Sequence, residues 1–277
     1  MTLAFGIVEA IELVGIGALA GVVGGMLGVG GGLVMIPLLT VMLGDRFGAG
    51  SFHVYKLAAI TTSIVVSIPA VVRHARARAV VYGMLHSILP FAVLGVAVGA
   101  YAAAHFFSNE QTHLLRRIFG VCLELVVAVN LYQGWRDAQG REGLRDYCPL
   151  PGRRALIGTS VGLPTGVIAG LLGIGGGVWN VPVQHLLFGM RLRYAIATSS
   201  YVVVFVSLAA SIAQSVTVER MTGLHAADSW RLALGLAPGA VLGGWCGASL
   251  THRLPVRWMR HVFHAFLVAM GVYLIAW

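Results

Sequence analysis

Charge is scarce in this chain: only 10% of its 277 residues are Asp, Glu, Lys or Arg, whereas 58% are hydrophobic. A soluble domain carries about 25% charged residues, so this composition cannot cover a water-facing surface. Cysteine is rarer still. Cys122, Cys148 and Cys246 are scattered, form no paired framework and lack metal-ligand spacing, which excludes a disulfide scaffold and a thiolate metal site. They are expected to be apolar filler. No Lys or Arg precedes Arg46, so the basic start of a secretory signal is missing and the N-terminus reads as mature protein. Carboxylates number 10 against 19 Lys and Arg. The resulting charge of +9 sits in short loops between apolar segments, where it reports membrane orientation rather than a nucleic-acid partner.

Uncharged apolar runs and glycine are what the chain has in abundance. Leu57 to Val72, Val80 to Ala104 and Ala195 to Val218 contain no Asp, Glu, Lys or Arg, and runs of this kind read as membrane-spanning helices. The 37 glycines are not evenly spread. "GMLGVGGGLVMIP" (Gly25 to Pro37) returns as "GLLGIGGGVWNVP" (Gly170 to Pro182) at an offset of 145. "ITTS" from Ile60 matches "IATS" from Ile196 at 136, and Pro90, Gly95 and Gly99 match Pro238, Gly243 and Gly247 at 148. The chain therefore reads as two homologous halves. The expected division is a first membrane repeat over 1–133, a charged cytoplasmic linker over 134–154 and a second repeat over 155–277.

Each half is one long glycine-broken segment followed by three ordinary apolar ones. The expected segments are 12–43, 57–73, 81–105 and 114–133, then 156–189, 194–217, 231–250 and 258–276. More than 30 helical residues would extend about 45–50 Å, against a hydrocarbon core of about 30 Å. One straight span is too long and two full spans would be too short, so each broken segment is expected to be a hairpin with its glycines near the deep tip. That arrangement also gathers the loops holding Arg73, Arg76, Arg78, Arg191, Arg193, Arg253, Arg257 and Arg260 on one side with the linker, as the positive-inside rule favours. The fold class follows: an all-α integral membrane protein of two halves, each a broken hairpin plus three transmembrane helices. An odd number of crossings per half makes the repeats inverted relative to each other. Gly17/Gly21/Gly25, Gly162/Gly166/Gly170 and Gly235/Gly239/Gly243/Gly247 line one face of their helices and are expected to be packing seams.

Unwound backbone in a bilayer is tolerated only where protein buries it or where it lines a watery cavity. Gly30, Gly31 and Gly32, with Gly175, Gly176 and Gly177, would present bare amides with no side chain in the way. Pro37 and Pro182 suit the first turn of a restarting helix, whose N-terminus attracts anions. Hydroxyls of Thr62, Ser63, Thr198 and Ser199 recur with the repeat, although Ser and Thr in spans also bond their own preceding turn. Asn180 could donate to an oxyanion, and Gln184 is a weaker candidate. Glu124, an intramembrane carboxylate, is a candidate for proton coupling. No strand leads into the glycines and no Lys-Ser/Thr follows them, which excludes a nucleotide-phosphate loop. His261 and His264 lack a third ligand. Neither a cofactor nor a metal is expected.

At these motifs the chain resembles the sulfite exporter TauE/SafE family of membrane permeases. "GVGGG" (28–32) and "GIGGG" (173–177), their downstream prolines, Thr62-Ser63 and Thr198-Ser199 carry the likeness, which covers nearly the whole chain. It implies a permease for small, mostly sulfur-containing anions such as sulfite or sulfonates, in a bacterial inner membrane and surrounded by lipid. Trp179-Asn180, in a stretch that is usually apolar, and Lys56 depart from the pattern and bear on the cargo. A membrane-embedded enzyme is the rival class, but no rhomboid-like GxSG string and no metal-ligand cluster supports it. A non-transporting accessory subunit is the other alternative. A negative-inside potential drives anions outward, and buried carboxylates for coupling are few, so export by alternating access is the expected mode.

Overall fold

The computed structural model describes residues 6–44, 46–48, 51–106, 112–138, 152, 154–223, 225–250 and 256–276, without the side chains of 112, 137, 138, 221, 222, 256–263 and 266. Most of the expected linker, the Asn109-Glu110 loop, Cys148 and Arg253 lie outside the described residues, as do the side chains of Arg257, Arg260 and His261. The first half forms α1 (Ile7–Leu27), α2 (Gly32–Leu43), α3 (Ser51–Arg76), α4 (Tyr82–Phe106) and α5 (Thr112–Ala138). In the second, α6 (Arg154–Ile157), a π-helical turn (Gly158–Gly162) and α7 (Leu163–Leu172) run together, followed by α8 (Gly177–Leu186), α9 (Leu192–Thr222), α10 (Ala226–Leu250) and α11 (Val256–Ala276). Among the described residues, six helices are long and apolar enough to cross a membrane: α1, α3, α4, Arg154–Leu172, α9 and α10. Their outer surface shows Leu94, Val98, Leu208, Ile212, Leu234 and Leu242, an apolar coat that only lipid can face favourably.

Both broken segments turn back on themselves. Arg46, just beyond α2, forms a 2.7 Å ion pair with Glu9 at the start of α1, so the chain leaves the hairpin where it entered. In the second half, Trp179 on α8 donates its indole N–H to Ser160 O at 3.0 Å. Ser160 lies in the π-helical turn Gly158–Gly162. The Trp179 side chain thus ties α8 back to the turn that precedes α7. The Glu9–Arg46 pair is about one-third exposed, and such pairs contribute about 0–1 kcal/mol. Arg46→Ala should therefore shift the unfolding temperature little; a loss of folded protein would give the pair a structural role its exposure does not support.

The two halves are interlocked. Helix α1 lies along α10, and α7 lies along α4, so the first helix of each half packs on the third span of the other. Lipid tails are as apolar as leucine, so such contacts depend on close approach rather than on hydrophobic burial. The expected glycine seams supply it. A Cβ on Gly17 would stand 2.1 Å from Leu236 O, and one on Gly239 would stand 1.9 Å from Val14 O. Across the other seam, a Cβ on Gly166 would meet Ala92 O at 1.9 Å and one on Gly95 would meet Leu163 O at 2.3 Å.

One boundary differs in a consequential way. The segment expected from Leu57 begins at Ser51, which takes His53 and Lys56 into α3, and both are buried. A cation interrupts a hydropathy run, yet it need not end a helix whose charged side faces protein instead of lipid. Beyond that, α9 extends to Thr222 and α5 to Ala138, each a few residues past the expected end.

Candidate functional site

The interruptions between α1 and α2 and between α7 and α8 are loops built by glycine. Gly28 (φ 67°), Gly30 (φ 75°), Gly173 (φ 77°), Gly175 (φ 74°) and Gly176 (φ 72°) are left-handed, a conformation in which a Cβ costs about 1–2 kcal/mol. The loops meet each other. A Cβ on Gly177 would lie 2.5 Å from Gly28 O and Val29 Cα, and one on Gly32 would lie 2.9 Å from Gly173 O. Helices α3 and α9 close the sides: Gly30 faces Ser63 and Val203, and Gly175 faces Val203 and Ser207.

No acceptor among the described residues takes the amide N–H of Gly30, Gly31, Gly32 or Leu33, nor those of Ile174, Gly175, Gly176, Gly177 or Val178. All of these residues are buried, and neither α2 nor α8 has a side-chain N-cap. Helix starts always leave N–H groups over, but buried ones are paired in more than 90% of cases. Two such sets meeting inside one protein form a donor-rich, electropositive centre. Its chemistry suits an oxyanion.

The prolines play a different part from the one expected. Helices α2 and α8 restart at once, at Gly32 and Gly177, so Pro37 and Pro182 are each the sixth helical residue rather than in the first turn. There they withhold the N–H that would bond Leu33 O and Val178 O, which extends the irregular backbone by one turn. At the other edge, Gln214 Nε2 donates to Ala169 O at 3.1 Å and Gly170 O at 3.0 Å, capping the last carbonyls of α7.

The structure brings some of the expected side chains to the loops and not others. Ser199 Oγ donates to Gly28 O at 2.8 Å, bridging α9 to the first loop. Ser63 lies against Gly30 while its hydroxyl donates to Ala59 O at 2.8 Å. Thr62 donates to Ala58 O at 2.8 Å within its own helix. Thr198 Oγ1 accepts from Val81 N at 3.1 Å, so it holds the connection between α3 and α4. Asn180 is buried; its Oδ1 accepts from Gln184 Nε2, and its Nδ2 has no partner. Glu124 sits elsewhere, on the face of α5 that packs against Gly271 of α11.

Two further residues belong with the loops. Ser207 Oγ and Thr165 Oγ1 are buried without partners, the first beside Gly175 and the second on the residue whose carbonyl abuts Gly176. Ser207 was within reach of the sequence: Ser199, Ser207 and Ser211 stand at multiples of four residues with Val203, which places them on one face of a helix. Thr165 carries no comparable signal.

The family model described as "Sulfite exporter TauE/SafE" matches residues 13–274. The chain is similar to the "Probable membrane transporter protein MamO" of Magnetospirillum gryphiswaldense, at 27% identity over 94% of this chain and 44% of that protein. It is likewise similar to MamO of Paramagnetospirillum magneticum, at 28% identity over 97% and 45%. The chain thus spans about half the length of those two relatives. The "Probable membrane transporter protein YunE" of Bacillus subtilis is similar along its whole length, at 27% identity over 95% of this chain and 96% of that protein. No solved structure matches.

Proposed function

The chain belongs to the sulfite exporter TauE/SafE family and is a multi-pass membrane transporter, and from that premise we propose that it exports a small anion, sulfite or an organosulfonate, held where its two glycine loops meet. The observation that carries this reading is the paired set of buried, unpartnered amides from Gly30 to Leu33 and from Ile174 to Val178. An oxyanion accepts several such N–H bonds at once, and charge-assisted bonds are about twice as strong as neutral ones. Ser207 and Asn180, whose Oγ and Nδ2 are unpartnered, add neutral donors, while Ser63 and Ser199 line the first loop with their hydroxyl protons on Ala59 O and Gly28 O. Thr198 ties the helix that carries Ser199 to the connection between α3 and α4, whereas Thr62 bonds only its own helix.

Alternating access is supported by the reciprocal packing of α1 on α10 and α7 on α4. Two hairpins that enter from opposite faces, each clasped by the other half, form inverted repeats about a shared centre, as in transporters with discontinuous helices. The basic loops around Arg73, Arg76, Arg78, Arg191 and Arg193 face the cytoplasm by the positive-inside rule, in a bacterial inner membrane. Export along a potential of about 100 mV gains about 2.3 kcal/mol per negative charge and needs no coupled ion, so this mode does not require Glu124.

The test is efflux of radiolabelled sulfite from liposomes containing the purified chain, under an imposed potassium diffusion potential. Efflux should exceed that of protein-free liposomes and rise as the interior becomes more negative. Flux no greater than the protein-free control would overturn the transport of sulfite, and flux indifferent to voltage would overturn uncoupled export.

A further inference from the structure

Eighteen of the 19 cations in this chain are arginines, and the one lysine, Lys56, is inside α3 at 2% exposure. Its Cβ stands 3.1 Å from where a Cβ of Gly173 would lie, so the stem leaves α3 against the second glycine loop. No carboxylate or other acceptor among the described residues bonds its ammonium. The intramembrane carboxylate Glu124 is directed at Gly271 of α11 instead. One turn earlier, His53 is equally buried and its Nε2 has no partner. Positions 53 and 56 are neighbours on one face of a helix. Ser63, against the first loop, is seven residues further along α3, about 10 Å at the helical rise.

A cation enclosed by protein within a membrane helix is costly unless something neutralises it. Among the described residues no carboxylate pairs with this ammonium, and the adjoining glycine loops carry the unpartnered N–H donors that an anion needs. We propose that Lys56, assisted by His53, is the fixed positive charge of the transport site, and that the permeating oxyanion is its counter-ion. This rests on the reading of the glycine loops as the substrate site. It adds that selectivity for anions over isosteric neutral solutes comes from one ammonium at the Gly173 end of the site, while the amides select shape and number of oxygens. Arginine would keep the charge, glutamine the polarity alone, and methionine the stem alone.

Two measurements on the detergent-purified full chain test this. In the first, unfolding temperature is recorded with and without sulfite, with methanesulfonate, and with dimethyl sulfone as the neutral isostere. The anions should raise it for the native chain and for Lys56→Arg but not for Lys56→Gln or Lys56→Met, and dimethyl sulfone should raise it for none. Without anion, Lys56→Met should unfold at the same temperature as the native chain or higher, because an uncompensated charge has been removed. A lysine that served only to pack would give a lower value. In the second, sulfite efflux from liposomes should fall at least tenfold in Lys56→Gln, chiefly through a raised KM, and stay within about threefold in Lys56→Arg.

If the native chain moves sulfite and Lys56→Gln moves it equally well, the role of Lys56 is overturned while the proposed function stands. If the native chain moves no sulfite but the anions stabilise it in a Lys56-dependent way, the function fails and the anion site at Lys56 stands. Anions that stabilise the native chain and Lys56→Met alike, or that stabilise neither, overturn the assignment to Lys56.

Discussion

Adding one methyl group at Gly166 or Gly239 should leave the chain unable to assemble. In each case the new Cβ would sit 1.9 Å from a backbone oxygen of the facing helix, Ala92 O for Gly166 and Val14 O for Gly239. Backbone cannot swing aside as a side-chain tip can, so the two helices must separate along the whole seam. Overpacking of this kind costs about 1–3 kcal/mol when neighbours can shift, and here every neighbour is backbone. The loss should fall at the upper end of that range or above it, in a protein whose total stability is on the order of 5–15 kcal/mol. Monodispersity after detergent extraction and the unfolding temperature are the readouts. Gly15→Ala is the matched control: it lies on α1 with nothing within 4 Å of its added Cβ, and alanine is favoured over glycine in a helix by about 1 kcal/mol. Equal yields of folded Gly239→Ala and Gly15→Ala would refute the interlocked packing of α1 and α10.

Gly177→Ala should silence transport while the chain still folds and inserts. Residue 177 opens α8 and has no positive φ, so alanine suits its backbone. The added Cβ would lie 2.5 Å from both Gly28 O and Val29 Cα, and relief requires the first and second loops to draw apart. Donors aimed at one anion lose most of their effect with displacements of about 1 Å, so sulfite flux should drop by about a hundredfold or more. Gly176→Ala is a poorer probe. Its φ of 72° and a Cβ position 2.4 Å from Thr165 O would damage the fold as well as the site. Undiminished flux in Gly177→Ala would separate the meeting of the loops from function.

Much of the architecture was legible in the residues because membranes narrow the choices. A chain with 58% hydrophobic and 10% charged residues can only be helical in lipid or closed into a barrel, and long uncharged runs choose the helix. Repeats at offsets of 145, 136 and 148 divide the sequence into two similar halves. Segment length against bilayer thickness required the hairpins, which the Glu9–Arg46 pair and the Trp179–Ser160 bond then display. Four-residue glycine spacing foretold the seams, because that spacing fixes a helix face.

Other features were not legible. Pro37 and Pro182 appear as helix starts in a linear reading, since proline is at home there, yet helix resumes five residues earlier because glycine loops need little chain to reverse. Thr198 looked like a partner of Thr62 in one site, but its hydroxyl accepts from Val81 N across 117 positions of sequence. Glu124 stood out as a carboxylate in a span; which helix it faces, α11 with Gly271, is a matter of rotation that sequence spacing does not specify.

The sequence by itself determined that this protein is helical, membrane-embedded, doubled, and broken twice by glycine, because each of these follows from local chemistry: hydropathy, periodicity and the freedom of a residue without a Cβ. Only the tertiary structure decided that the two breaks touch, that each half clasps the other, and that Lys56 is enclosed beside Gly173 with no acid among the described residues bonded to it. Those are relations between segments more than a hundred residues apart. They depend on which helix faces approach within van der Waals distance, which composition and spacing constrain only once all the helices are packed together.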